Sequence, residues 1–85
     1  MIILYSPLFK KKFLKLQRQI QDRFADRLEI FIHDTNSQIL KNHKLHGRLE
    51  GYFAFSITGD YRAIYRKLST DVIKLVDIGT HNQVY

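Results

Sequence analysis

The chain has 85 residues, with 14 Lys plus Arg against 8 Asp plus Glu, four His, one Pro and no Cys or Trp. That length holds one small domain, residues 1–85, whose thin core buries about 60% of the surface exposed by the unfolded chain. The lack of cysteine excludes a disulfide framework and a thiolate metal site, and suits a reducing cytoplasm. A hydrophobic content of 45% excludes a disordered tail. No apolar run reaches the roughly 20 residues of a membrane helix, and the opening MIILYSPLF is not a secretory leader because its basic residues follow the apolar stretch. A net charge of +6 and a pI near 9.8 point to a polyanionic partner: RNA, DNA, an acidic protein or an anionic membrane.

In chain order, Met1 to Tyr5 suits a short buried strand. Ser6-Pro7 reads as a helix start, with Ser6 the cap and Pro7 at the first helical position, where a missing N–H costs nothing. Phe9, Phe13, Leu16 and Ile20 then recur at three- and four-residue steps, and Phe24, Leu28 and Phe31 continue them. The periodic stretch from 7 to 34 is long for so small a protein, which predicts two helices packed as a hairpin with a break near Arg18 to Asp22. Asp34 to Ser37 closes the helical part with turn-forming residues. After a connection through His43 and Gly47 the period becomes two. Arg48 to Ile57 reads as a strand, with Phe53, Phe55 and Ile57 on one face and Tyr52, Ala54 and Ser56 on the other. Tyr61 to Lys67 and Val72 to Ile78 follow as strands, separated by tight turns. The predicted class is α+β: a small antiparallel sheet with two N-terminal helices packed against it, in the order β-α-α-β-β-β.

Four clusters carry charge or reactive groups. Residues 1 to 21 hold Lys10, Lys11, Lys12, Lys15 and Arg18 and no acid. Such a helix is either a solvated face or a phosphate-binding face that displaces counterions from nucleic acid. A membrane-surface role conflicts with the need of its apolar stripe in the core. Lys41, His43, Lys44, His46 and Arg48 fall within eight residues. They make either a polar connecting loop or a site acting on phosphodiesters, which needs cations for the non-bridging oxygens and a group titrating near neutral pH. No carboxylate or thiol stands near to complete a metal set. Asp60, Tyr61 and Arg62 open a strand: a turn residue, a ring able to pack or stack on a base, and a planar fork suited to phosphate. Gly79 to Tyr85, with His81, reads on composition alone as a frayed tail.

Joined, these segments resemble a known family. His43-Lys-Leu-His-Gly47, Leu49-Glu-Gly51-Tyr52, Ile57-Thr-Gly-Asp60-Tyr61-Arg62-Ala-Ile64-Tyr65 and Ile78-Gly79-Thr80-His81 resemble, in order and spacing, the YafQ branch of the RelE/ParE toxin superfamily. The helical half matches in size, pattern and basicity. The resemblance implies a fold similar to microbial ribonucleases and an activity on messenger RNA in the ribosomal A site. It also implies a cognate antitoxin as partner and a bacterial or archaeal cytoplasm. No metal or other cofactor is implied: the ribose 2′-OH attacks the adjacent phosphate and the 5′-oxygen leaves.

Carried over by position, His43 and Asp60 match a histidine and an acid of the family's site. Tyr61 stands where the family usually has Trp, His81 matches the C-terminal histidine, and Tyr85 a terminal aromatic. Ser56 occupies the place of a further histidine in the best-studied branch, so the chain offers one imidazole fewer there, and a serine hydroxyl does not titrate near neutral pH. The expected catalytic set is therefore His43, Asp60, His81 and Tyr85. Lys41, Lys44, Arg48, Tyr61, Arg62, Lys10 and Lys11 are expected to bind RNA. Two alternatives stay open: a ParE-like inhibitor of a target such as DNA gyrase that cuts nothing, and an attenuated toxin acting as co-repressor with its antitoxin.

Overall fold

Ser6 separates the first strand from the first helix in the computed structural model, which describes residues 1–85. Its hydroxyl accepts from the Phe9 N–H at 3.0 Å and donates to the Val76 carbonyl at 2.9 Å. The cap thus also fastens the helix start to the sheet. The elements run β1 (Ile2–Tyr5), α1 (Pro7–Leu14), α2 (Arg18–His33), β2 (His43–Lys44), β3 (Phe53–Ser56), β4 (Tyr61–Ser69), β5 (Val72–Thr80) and α3 (His81–Val84). Single 3₁₀ turns lie at Gln38–Leu40 and Gly47–Leu49.

The helical hairpin is present, but its break falls at residues 15–17, ahead of the expected Arg18 to Asp22. α1 ends where the Lys15 N–H donates to the Lys12 carbonyl and the Leu16 N–H to the Phe13 carbonyl, and the Gln21 amide of α2 reaches back to the Phe13 carbonyl at 2.9 Å. One helix therefore satisfies the frayed end of the other. The strand expected over Arg48 to Ile57 is shorter. Gly47 and Gly51 have φ of +67° and +91°, which an L side chain adopts only with strain. The chain turns at both and reaches extended geometry at Phe53.

The strands form one five-stranded sheet in the order β1-β5-β4-β3-β2. β2 to β5 are antiparallel, as expected, while β1 lies parallel to β5, with Ile2 opposite Val72 and Tyr5 opposite Leu75. The sheet is therefore mixed. β1 is an edge strand, and of its residues Ile3 packs on the main core whereas Ile2, Leu4 and Tyr5 stay exposed, in place of the buried strand expected.

Both faces of the sheet are used. The helices cover one, where Phe9, Phe24, Phe31, Leu40, Phe55, Tyr65, Leu75 and Ile78 make the main core. Phe31, Phe55 and Tyr65 meet with ring centroids 5.0–6.1 Å apart. A second, smaller cluster of Leu45, Ala54, Ile64 and Val84 lies on the other side, with Leu49, Tyr52, Val76 and Tyr85 packed on it. The alternation read in β3 holds: Phe53, Phe55 and Ile57 belong to the first cluster and Ala54 to the second. No helix is long and apolar enough to cross a membrane.

Candidate active site

The last seven residues, a frayed tail by composition, are ordered: Gly79 and Thr80 end β5, and His81–Val84 make one turn of helix. Thr80 and Gln83 form a reciprocal capping box, with the Thr80 N–H donating to Gln83 Oε1 at 2.9 Å. Val84 is buried in the second cluster, and the His81 N–H donates to the Asp60 carbonyl at 2.9 Å. Gly79 permits this docking: a Cβ there would stand 2.7 Å from Gln83 Oε1 and 3.3 Å from Val84 Cγ1.

These contacts bring several of the expected site residues together. The His81 and Tyr85 rings meet edge-on, with centroids 4.5 Å apart and planes at 83°. Ser56, Arg62 and Gly79 lie in one row across β3, β4 and β5, and Tyr61 pairs with Thr80 one step further on. Arg62 donates from Nη1 to the carbonyls of Thr58 and Tyr61 at 2.9 and 3.0 Å. Its fork is thereby locked over the turn that carries Asp60. The Thr58 hydroxyl accepts from the Asp60 and Tyr61 N–H groups at 3.2 and 3.0 Å, which leaves the Asp60 carboxylate exposed. Burial pushes the Tyr85 phenol above its ordinary pKa, an effect the nearby Arg62 guanidinium partly offsets. The Tyr85 hydroxyl is buried without a hydrogen-bond partner.

The segment after β2 forms an adjoining wall. The Leu45 N–H donates to the Tyr52 carbonyl at 2.9 Å, and a pocket of about 240 Å³ opens between Leu45, His46, Arg48, Leu49 and Tyr85. His46 has no place in the site by position alone; its signal is the pattern Leu45-His46-Gly47-Arg48-Leu49, in which two covered leucines pin a short exposed turn.

His43 stands apart. Its Nδ1 lies 2.8 Å from the Lys41 carbonyl, and its ring has no hydrogen bond to His81, Asp60 or Tyr85. It lines instead a larger cleft of about 690 Å³ with Asn42, Lys44, Phe53 and Lys67. Of the expected RNA contacts, Lys10, Lys11, Lys41, Lys44 and Arg48 are exposed. Tyr61 is half-buried and packs on the main core, so only part of its ring faces out. Lys12, from the same basic run, is taken up by an ion pair with Asp77 of β5.

The family profile described as ParE toxin of type II toxin-antitoxin system, parDE, matches residues 3–85. Among curated proteins none matches. Among solved structures the fold is similar to that of YafQ from E. coli strain BL21(DE3), at 22% identity and a TM-score of 0.81 over 98% of this chain and 96% of that one. It is similar also to a YoeB/ParE toxin from Agrobacterium tumefaciens, at 16% identity and 0.78 over 95% and 99%. A third likeness is to the E. coli DinJ-YafQ toxin-antitoxin complex, at 24% identity and 0.78 over 98% and 94%.

Proposed function

The chain belongs to the ParE toxin family of type II toxin-antitoxin systems, and on that premise we propose that it is an endoribonuclease that cuts messenger RNA on the ribosome. The observation that carries this reading is the joining of His81, Tyr85, Asp60 and Arg62 by the C-terminal turn. Phosphodiester cleavage needs a group to take the 2′-OH proton, a group to protonate the departing 5′-oxygen, and cations around the charge that builds on the phosphorus. In this reading the 2′-oxygen bonds to phosphorus, the bond to the 5′-oxygen breaks, and the product ends are a cyclic phosphate and a free 5′-OH. His81 and Asp60 share the proton transfers, Tyr85 holds the His81 ring, and Arg62 faces the phosphate. His43, on the neighbouring cleft, positions the strand that leads into the site, with Lys41, Lys44 and Arg48 along its path. Lys10 and Lys11 of α1 supply a separate basic face for ribosomal RNA.

Residues 1–85 act here as one domain, in the cytoplasm, with a cognate antitoxin whose acidic segment suits the net charge of +6. The toxin-antitoxin complexes among the similar folds support such a partner.

The test is inducible expression of the wild type and His81→Ala in a bacterial host, with new 5′ ends mapped on translated transcripts. Cuts at a fixed place within codons, lost in His81→Ala, are expected. Growth arrest without cuts would move the chain to a non-cutting inhibitor, of DNA gyrase for instance. A folded chain giving neither would be an attenuated toxin, with the buried Ser56 as the reason.

A further inference from the structure

We infer that His46 is the second imidazole of this site and exchanges protons with the RNA opposite His81, an inference that rests on the ribonuclease reading above. Ser56, in the row with Arg62 and Gly79, carries only a hydroxyl, which does not titrate in the neutral range. An imidazole does, and the structure supplies one from a different segment. Tyr85 is the link: its ring centroid lies 4.5 Å from that of His81, and it also lines the pocket shared with His46 and Arg48. His81 and His46 are therefore both neighbours of Tyr85.

The position of His46 is set by its neighbours. Leu45 is 7% exposed within the second cluster, and the Leu49 N–H donates back to the His46 carbonyl at 3.3 Å. Gly47, at φ +67°, makes the turn between them. The backbone is held on both sides while the ring faces solvent.

The pocket's chemistry fits a ribose phosphate. Its lining carries Arg48 and no acid, and Arg62 lies close enough to the Tyr85 phenol to favour its anion. At about 240 Å³ it is below the range of drug-sized pockets and takes one sugar–phosphate unit of the backbone, leaving the base outside. In this deepened form of the reading His46 takes the second transfer in place of Asp60: one imidazole accepts the proton of the attacking 2′-OH while the other donates to the leaving 5′-oxygen, so the proton count of the pair is unchanged over the reaction.

The experiment is cleavage of a short messenger by purified protein on programmed ribosomes, with ribosome binding measured in parallel by co-sedimentation. His46→Ala is expected to slow cleavage about 10²-fold, within the range for losing one acid–base group, at unchanged ribosome binding and unchanged thermal midpoint. Ser56→His added to His46→Ala is expected to restore most of the rate, because it returns an imidazole to the neighbouring wall. Cleavage by His46→Ala at the wild-type rate would overturn the inference while leaving the ribonuclease reading intact. A loss of cleavage matched by an equal loss of ribosome binding would also overturn it, making His46 a binding residue only. A folded wild type that binds ribosomes and cuts nothing would overturn the ribonuclease reading itself.

Discussion

Gly79 decides whether the C-terminal turn can lie against the sheet, so one hydrogen-for-methyl exchange reports on the whole site. In Gly79→Ala the new carbon meets Gln83 Oε1 at 2.7 Å, Gln83 Cβ at 3.2 Å and Val84 Cγ1 at 3.3 Å. Relief requires the Gln83 side chain to abandon the capping box. The expected cost is about 1–3 kcal/mol, as for other overpacked contacts. Thermal denaturation together with the cleavage assay should show activity falling further than the modest drop in midpoint explains. Tyr85→Phe acts in the opposite direction on stability. It removes a buried hydroxyl that has no partner, so urea unfolding should show a gain of about 1 kcal/mol. The candidate residues stand out one by one in the sequence and the family resemblance groups them, but the ordered turn that sets His81 and Tyr85 against the sheet is not legible there. A four-residue helix is far below the length that is stable alone, and only the Thr80–Gln83 cap, the burial of Val84 and the missing Cβ at Gly79 hold it.

α1 holds its lysines in two settings, and its position on the sheet determines which is which. Lys12 and Asp77 side chains are 29% and 23% exposed and paired, whereas Lys10 and Lys11 face solvent. Lys12→Ala is therefore expected to destabilise the fold by about 1–3 kcal/mol, the range for a hydrogen bond between charged groups that are partly shielded from water. Lys10→Ala with Lys11→Ala should leave the urea midpoint nearly unchanged. The double variant should instead bind single-stranded RNA with a salt slope smaller by about 1.4, from 0.7 per lost phosphate contact. The elements themselves were well marked by period: the helical stripes in Phe9 to Phe31, the alternation in Phe53 to Ile57, and the cap at Ser6. Their ends were not, because glycines at Gly47 and Gly51 and a side-chain bond from Gln21 set them. The parallel pairing of β1 was also invisible, since MIILY reads the same for an edge strand as for a buried one.

For the molecule as a whole, alkaline pH is the condition that exposes the cost of its aromatic core. Tyr65 is 1% exposed, and burial raises its phenol above the ordinary 10.0, with the hydrogen bond to Asn42 opposing in part. Tyr85, and Tyr5 through the covered part of its otherwise exposed side chain, are raised in the same direction. The unfolded chain thus loses these protons first as pH climbs past 10.0. Above that point the folded state binds more protons than the unfolded one, and stability falls with rising pH. The stabilisation is complete below that value and is lost progressively above it. Urea midpoints measured between about pH 9 and 11 should fall, and less steeply in Tyr65→Phe. That variant starts from a lower midpoint because Asn42 loses its donor.

The pairing of β1 with β5 also sets a clock. Ser6 bonds to Val76 across 70 positions, and β1 itself has no other strand beside it. At roughly 5–20 residues per second, a ribosome needs about 4–14 s to deliver the partner of a strand it made first. Through that interval Ile2, Ile3 and Leu4 wait as an unguarded apolar edge, the kind of surface that chaperones and neighbouring nascent chains compete for. The turn that carries His81 is made after β5, so each newly made molecule passes through a stage with an open sheet edge and an unfinished C-terminal turn.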